Sequence, residues 1–205
     1  MNLFVKLALA CLLGFPAVSV AMATTSDDVL NRVKTAADQV LARVSERRAE
    51  LKAHPERIHD SVADFITPYF DFATMTQSAM GKYWPRANQA QQTAVVSEFS
   101  ELLIRTYGTT LLEYSGKPIR YGGVTWSKDG KRARVETRAE PKSGAPVTIL
   151  YYLHEAGGSW QVYDVVVEDL SLVTNYRSSF ATEIRAGGID GLIDKLQSRN
   201  EQLGG

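Results

Sequence analysis

The side chains that most often ligate metals or attack substrates are scarce in this chain, which has three histidines and a single cysteine, Cys11. The stretch His54-Pro55-Glu56-Arg57-Ile58-His59-Asp60 gathers two imidazoles and two carboxylates. Histidines at i and i+5 do not share a helix face, and Pro55 interrupts the run, so a solvated connector is a better reading than a metal site. His154 ends an apolar run beside Glu155 and is expected at the surface. The sequence contains no Gly-x-Ser-x-Gly elbow, no His-Glu-x-x-His pair and no phosphate-binding loop. Gly187-Gly188-Ile189-Asp190-Gly191 has the glycines of a nucleotide loop, but it follows a helical pattern, where a helix C-cap leading into another helix is simpler. Asp164 is the one carboxylate inside an apolar strand, in Tyr163-Asp164-Val165. In a cavity it could act as a general base. The preferred alternative is a carboxylate satisfied by backbone donors or by an arginine such as Arg177.

The first residues read as an export signal. Lys6, the apolar run from Leu7 to Val20 and the small-x-small triplet Ala21-Met22-Ala23 are its three parts, with cleavage expected after Ala23. The run is shorter than the about 20 residues that span a bilayer. Removing it also removes Cys11, so the mature chain is expected to have no disulfide and no thiolate, and to be stable by burial alone. Lys and Arg number 23, and Asp and Glu also 23. Such a chain lacks the field that attracts polyanions, which argues against nucleic acid and against a permanent hold on an anionic membrane. No catalytic set, resident metal or cofactor is expected.

Helical periods dominate up to Ser115-Gly116-Lys117-Pro118, and alternation follows. Val29, Val33, Ala36, Val40, Val44 and Leu51 mark an amphipathic first helix of about 25 residues, ended by His54-Pro55. Ile58, Val62, Phe65 and Ile66 mark a second, interrupted by Pro68. Phe70, Phe72, Met75 and Met80 mark a third, closed by Gly81. Asn88 and Gln91 predict a capping box that opens the longest helix, which ends at Gly116. Ile119 to Trp126, Arg132 to Ala139, Val147 to His154 and Trp160 to Val167 predict four antiparallel strands, with a bulge or bend at Gly122-Gly123. Two closing helices are expected, from about Leu170 to Arg185 and from Gly188 to Gln202. The organisation is thus a signal segment (1–23), a helical part (24–116) and a sheet with C-terminal helices (117–205), the latter two packed as one unit.

Two strands are apolar on both faces. Val147, Ile149, Tyr151 and Leu153 alternate with Leu150 and Tyr152, while Val162 and Val166 oppose Tyr163, Val165 and Val167. Such a sheet must be covered on both sides. Helices can do this alone; the other possibility is that part of the cover is a ligand.

One ordered series of residues runs through the chain. Phe70-Asp71-Phe72, Met75 and Met80-Gly81-Lys82-Tyr83-Trp84 come first, then Gln92, Phe99 and Leu102-Leu103. Tyr107, Leu111 and Tyr114 follow, and then Trp160-Gln161-Val162-Tyr163-Asp164-Val165. Ser171-Leu172, Tyr176-Arg177-Ser178-Ser179-Phe180, Ile184, Gly188 and Leu192-Ile193 close the series. Their order resembles the MlaC family, also called toluene-tolerance auxiliary proteins. Asp169-Leu170 departs from the family, which usually has a glycine and a small aliphatic before Ser-Leu. Asp tolerates the left-handed conformation better than most residues.

The resemblance implies an α+β fold in which an NTF2-like curved antiparallel sheet of about four strands packs with a mainly N-terminal helical layer. It implies a monomeric periplasmic carrier that shuttles phospholipid and maintains outer-membrane lipid asymmetry. The implied partners are an outer-membrane lipoprotein–porin complex and an inner-membrane ABC transporter with its lipid-binding subunit. The candidate tail-binding residues are Phe70, Met75, Phe99, Leu103, Tyr107 and Leu111 from the helical part. From the sheet and closing helices they are Val124, Ile149, Tyr151, Val165 and Val167, with Tyr176 and Phe180. A dry core would use the same residue types. An NTF2-like enzyme acting on an apolar small molecule through Asp164, and a solid scaffold that binds no lipid, therefore stay open at this level.

Overall fold

The computed structural model describes residues 25–114, 116–140 and 145–204. The expected signal segment and its cleavage site lie outside them. Helix α1 (Ser26–Glu46) opens on a reciprocal capping box between Thr25 and Asp28, which satisfies two of its free N-terminal donors. The periodicity that runs on to Leu51 does not make one helix: the chain breaks at Arg47, and α2 (Arg48–Ala53) starts again. Neither proline nor glycine causes this break. At the break the Arg47 guanidinium grips both Glu50 carboxylate oxygens and the Ser61 hydroxyl, the last at 2.7 Å.

After a 3-10 turn at Pro55–Arg57 come α3 (Ile58–Ile66), a second such turn at Thr67–Tyr69, and α4 (Phe72–Met80). Phe70 falls outside the third helix expected of it. It is extended and bridges to Val162, while Asp71 caps α4 by accepting from the Thr74 N–H at 2.8 Å. Gly81 ends α4 at φ 53°, a conformation that a side chain would strain. Helix α5 (Gln89–Tyr114) opens on the Asn88–Gln91 capping box, with reciprocal bonds of 2.9 and 3.1 Å.

Strands β1 (Ile119–Trp126), β2 (Arg132–Ala139), β3 (Val147–Ala156) and β4 (Ser159–Val167) form an antiparallel meander. The sheet has one strand more than expected, the two-residue β5 (Leu170–Ser171) beyond β4. Its turn is Glu168-Asp169, both left-handed at φ 47° and 66°. Asp169 thus makes the turn in place of a glycine, and Glu168 is held by giving its N–H to the Thr148 carbonyl and accepting the Thr148 N–H. The bulge between Tyr121 and Val124 lies where the glycine pair predicts it. A second bulge in β4 changes the expected faces. Leu153 pairs with Val162 and Tyr152 with Asp164, so one extra residue brings Val162 and Val165 to the same side.

Helix α6 (Leu172–Gly204) is kinked at Gly188, whose non-helical φ of 72° marks the two closing helices expected. Three apolar clusters result. One joins α4, α5 and α6 around Phe99; a second joins the sheet to Val29 and Val33 of α1; a third joins Val40 and Val44 of α1 to α3 and α5. Phe70 touches the first two and Phe72 the first and third, so the entry into α4 ties all three together. The protein is an α+β molecule whose antiparallel sheet is faced on one side by α1.

Candidate functional site: an apolar cavity between α1 and the sheet

Between the second and third clusters α1 carries small side chains. Val29 and Val33 dock on the sheet, Val40 and Val44 dock on α3 and α5, and Ala36 and Ala37 stand between these pairs. A cavity of about 140 Å³ opens there. Helix α1 lines it with Arg32, Val33, Ala36, Ala37, Val40 and Leu41. The sheet opposite contributes Ile119, Ala139, Ile149, Tyr151, Leu153 and Val162. Ile66, Tyr69, Phe70 and Leu111 complete the wall. Ala139 is another small residue of the sheet wall, and short side chains on both walls leave space that longer ones would fill.

The wall has little chemistry. Among the described lining residues there is no carboxylate, thiol or imidazole. Burial pushes the Tyr151 phenol up, against the opposing effect of a hydrogen bond with Thr137, so it is a neutral hydroxyl at physiological pH. The Tyr69 hydroxyl bonds the Gln39 amide at 2.8 Å. Arg32 is the one cation among the described lining residues. Its guanidinium lies 4.2 Å from the Tyr69 ring centroid and donates to the carbonyls of Trp160 and Pro68.

Of the candidate residues, Phe70, Leu111, Ile149 and Tyr151 meet at this cavity. Met75, Phe99, Leu103 and Phe180 are buried in the α4–α5–α6 cluster, with Tyr107 and Tyr176 packed against it. Val165 is buried in the sheet cluster, and Val124 and Val167 pack against it. The contribution of α1 is absent from the sequence-based set. Its signal was the pair Ala36-Ala37 in a stripe otherwise built of valine and leucine.

The titratable residues singled out from the sequence lie elsewhere. Asp164 accepts from the Ser171 hydroxyl at 2.7 Å and from the N–H groups of Val165 and Val173, so backbone donors and a hydroxyl satisfy it. Arg177 does not reach it; its guanidinium donates to the Ser78 carbonyl, joining α6 to α4. His154 is not at the open surface. Its Nε2 lies 2.9 Å from Asp71 Oδ2, and its ring packs 5.0 Å from that of Tyr163. His54 and His59 pair locally with Glu56 and Asp60. Among the described residues no group of three or more His, Cys, Asp or Glu could hold a metal, and no helix is long and apolar enough to cross a membrane.

A solved phospholipid-binding protein from Ralstonia solanacearum, in complex with a phospholipid, superposes with a TM-score of 0.78 at 32% identity, covering 87% of this chain and 99% of that one. A toluene tolerance protein of Pseudomonas putida is 29% identical over 188 residues, 91% of this chain and 84% of that protein. The intermembrane phospholipid transport system binding protein MlaC of Haemophilus influenzae is 24% identical over 194 residues, 93% of this chain and 90% of that protein. The family model described as MlaC protein matches residues 34–198, which include most of α1 and the whole sheet. This chain belongs to the MlaC family.

Proposed function

We propose that this protein is a periplasmic phospholipid carrier, which buries acyl chains between α1 and the sheet, passes lipid between outer- and inner-membrane complexes, and performs no covalent chemistry. The observation that carries the reading is the cavity itself, apolar on nearly every side and formed where alanines break the packing of α1. The phospholipid-bound relative of the same fold supports it. The physical need is plain. Two acyl tails expose about 30 methylenes at about 0.8 kcal/mol each, so crossing water unaided costs on the order of 20 kcal/mol. A wall about as apolar as a bilayer removes that cost while leaving release possible.

The cavity is about 140 Å³. An apolar cavity of about 150 Å³ takes a benzene ring, so this void admits a short run of methylenes. Loading a two-tailed lipid therefore requires the wall to part. Such a wall contacts tails rather than headgroup substituents, and discrimination among headgroups is weak. Asp164 is already satisfied and does not line the cavity, so no observation favours the enzymatic alternative.

Organic extraction of the freshly purified protein, followed by mass spectrometry, tests the reading. The wild type should yield about one or two phospholipids per chain, while Ile149→Glu, a charge in the wall with no partner, should yield at least tenfold less. A folded wild type that carries no lipid and takes none up from vesicles would end the carrier reading.

A further inference from the structure

The cavity has two chemically different ends. Along α1 its wall runs from Arg32 to Leu41, about 13 Å of helix. Ile66 and Leu111, which pack with Val40 and Val44 in the third cluster, are apolar, whereas the first α1 residue of the wall presents a guanidinium. Arg32 is part-buried, and among the described residues its partners are two neutral carbonyls and the face of Tyr69. None of these carries an opposing charge. The carbonyl bonds use Nε and Nη2, while a guanidinium has five N–H donors in a planar fork, so Nη1 keeps its donors for an anion. A cation in the wall of an apolar void, with no counter-anion among the described residues, matches a ligand that is anionic at one end and apolar along the rest.

Resting on the carrier reading, we propose that Arg32 recognises the phosphate of the bound lipid and sets its orientation, phosphate at Arg32 and tails towards Leu41 and Leu111. A guanidinium suits a phosphate because two parallel N–H groups can meet two of its oxygens. The phosphodiester is common to all glycerophospholipids, so this contact selects phospholipid over neutral glyceride without separating headgroups. The same side chain pins α1 to the start of β4 and to the connector at Pro68, so phosphate binding would act on the clasp that holds the wall closed.

The test offers delipidated full-length protein vesicles that contain equal amounts of phosphatidylethanolamine and of the diacylglycerol with the same acyl chains. Extraction then counts both lipids on the recovered protein. The wild type should be enriched in the phosphate-bearing lipid by about tenfold, the scale of one charge-assisted hydrogen bond. Arg32→Gln should fall to the vesicle ratio while still carrying lipid, and Arg32→Lys, which keeps the charge, should keep part of the enrichment. If Arg32→Gln does not fold, Arg32→Met takes its place with the same expected loss of enrichment, and uptake by the wild type at the vesicle ratio overturns the proposal by itself. Enrichment that survives in folded Arg32→Gln also overturns it, as does its complete loss in folded Arg32→Lys. A wild type that takes up neither lipid removes the carrier reading as well, whereas uptake without enrichment removes only the role of Arg32.

Discussion

The cluster around Phe99 and the cavity beneath α1 are built from nearly the same kinds of residue, yet one is solid and the other hollow. Around Phe99, aromatic rings meet edge to face, with centroids 5.0 Å from Tyr176 and 4.9 Å from Phe180, and Met75 and Leu103 fill the remaining space. Beneath α1, Ala36 and Ala37 face a sheet that presents Ala139 beside Ile149 and Tyr151. Hydrophobicity is high in both places. The difference lies in side-chain size across the contact, because a void forms only where short side chains face each other on frames that other contacts hold apart. The valine pairs of α1 on either side, Val29 with Val33 and Val40 with Val44, supply those contacts.

The largest expected effects come from exchanging sizes between the two regions. Phe99→Ala should lower stability by about 3–5 kcal/mol, because it opens a hole in a packed core. The lipid bound by the fraction that stays folded should not change. Ala37→Leu should do the reverse, holding or raising stability by about 0.5–2 kcal/mol as cavity-filling changes commonly do, while bound lipid falls at least tenfold. Denaturant unfolding and lipid extraction on the same preparations measure both sides. If Phe99→Ala loses its lipid and Ala37→Leu keeps it, the cargo lies in the α4–α5–α6 cluster and the assignment of the two regions is inverted.

That contrast also marks how far the sequence could be read. Element borders were legible because they are set locally: Pro55 and Gly81 end helices, Asn88 with Gln91 begins one, and β2 alternates so regularly that Ala133, Val135, Thr137 and Ala139 are all buried. The break at Arg47 was hidden because no proline or glycine marks it, and the bond that Arg47 makes there reaches Ser61 in another helix. The β4 bulge was hidden because a strand apolar at nearly every position gives no alternation from which to detect a one-residue shift. The cavity wall was legible only in part. Aromatic and branched residues attract a reader looking for a greasy pocket, and most of them fill the solid cluster instead, whereas the void is marked by alanines. His154 and Asp71 lie 83 residues apart, and no local pattern joins them.

The same pair tests whether the two regions unfold as one. Asp71 caps α4, which belongs to the packed cluster, and meets His154 from β3, which belongs to the sheet. Burial alone would raise its carboxyl. Bonds from the Thr74 hydroxyl at 2.7 Å, the Thr74 N–H and His154 outweigh that and hold it below the usual 3.8. A carboxylate more acidic when folded contributes stability that is present above the unfolded value and is lost as pH falls through the folded one. Asp71→Ala should therefore cost about 1 kcal/mol at pH 7, the scale of a lost N-cap. The gap from wild type should narrow below about pH 4, where the unfolded carboxyl takes up its proton. Thermal unfolding at both pH values measures it. Separate transitions for helix and sheet signals in the variant alone would show that this tie couples the two regions, and a gap that widens in acid would contradict the direction given.

The smallest expected effect concerns Tyr121, on the sheet beside α1. Its hydroxyl is buried without a hydrogen-bond partner among the described residues, and burial pushes the phenol up to about 12. An unsatisfied donor in a packed core destabilises the fold, and replacing it with hydrogen should be neutral or favourable. Tyr121→Phe should therefore change the stability of the lipid-free protein by no more than about 1 kcal/mol, and towards greater stability. A loss larger than that would mean the hydroxyl has a partner, with water the one at hand. The sheet beneath α1 would then be wet where the carrier reading needs it dry, and the contrast with the Phe99 cluster would be one of polarity as well as of size.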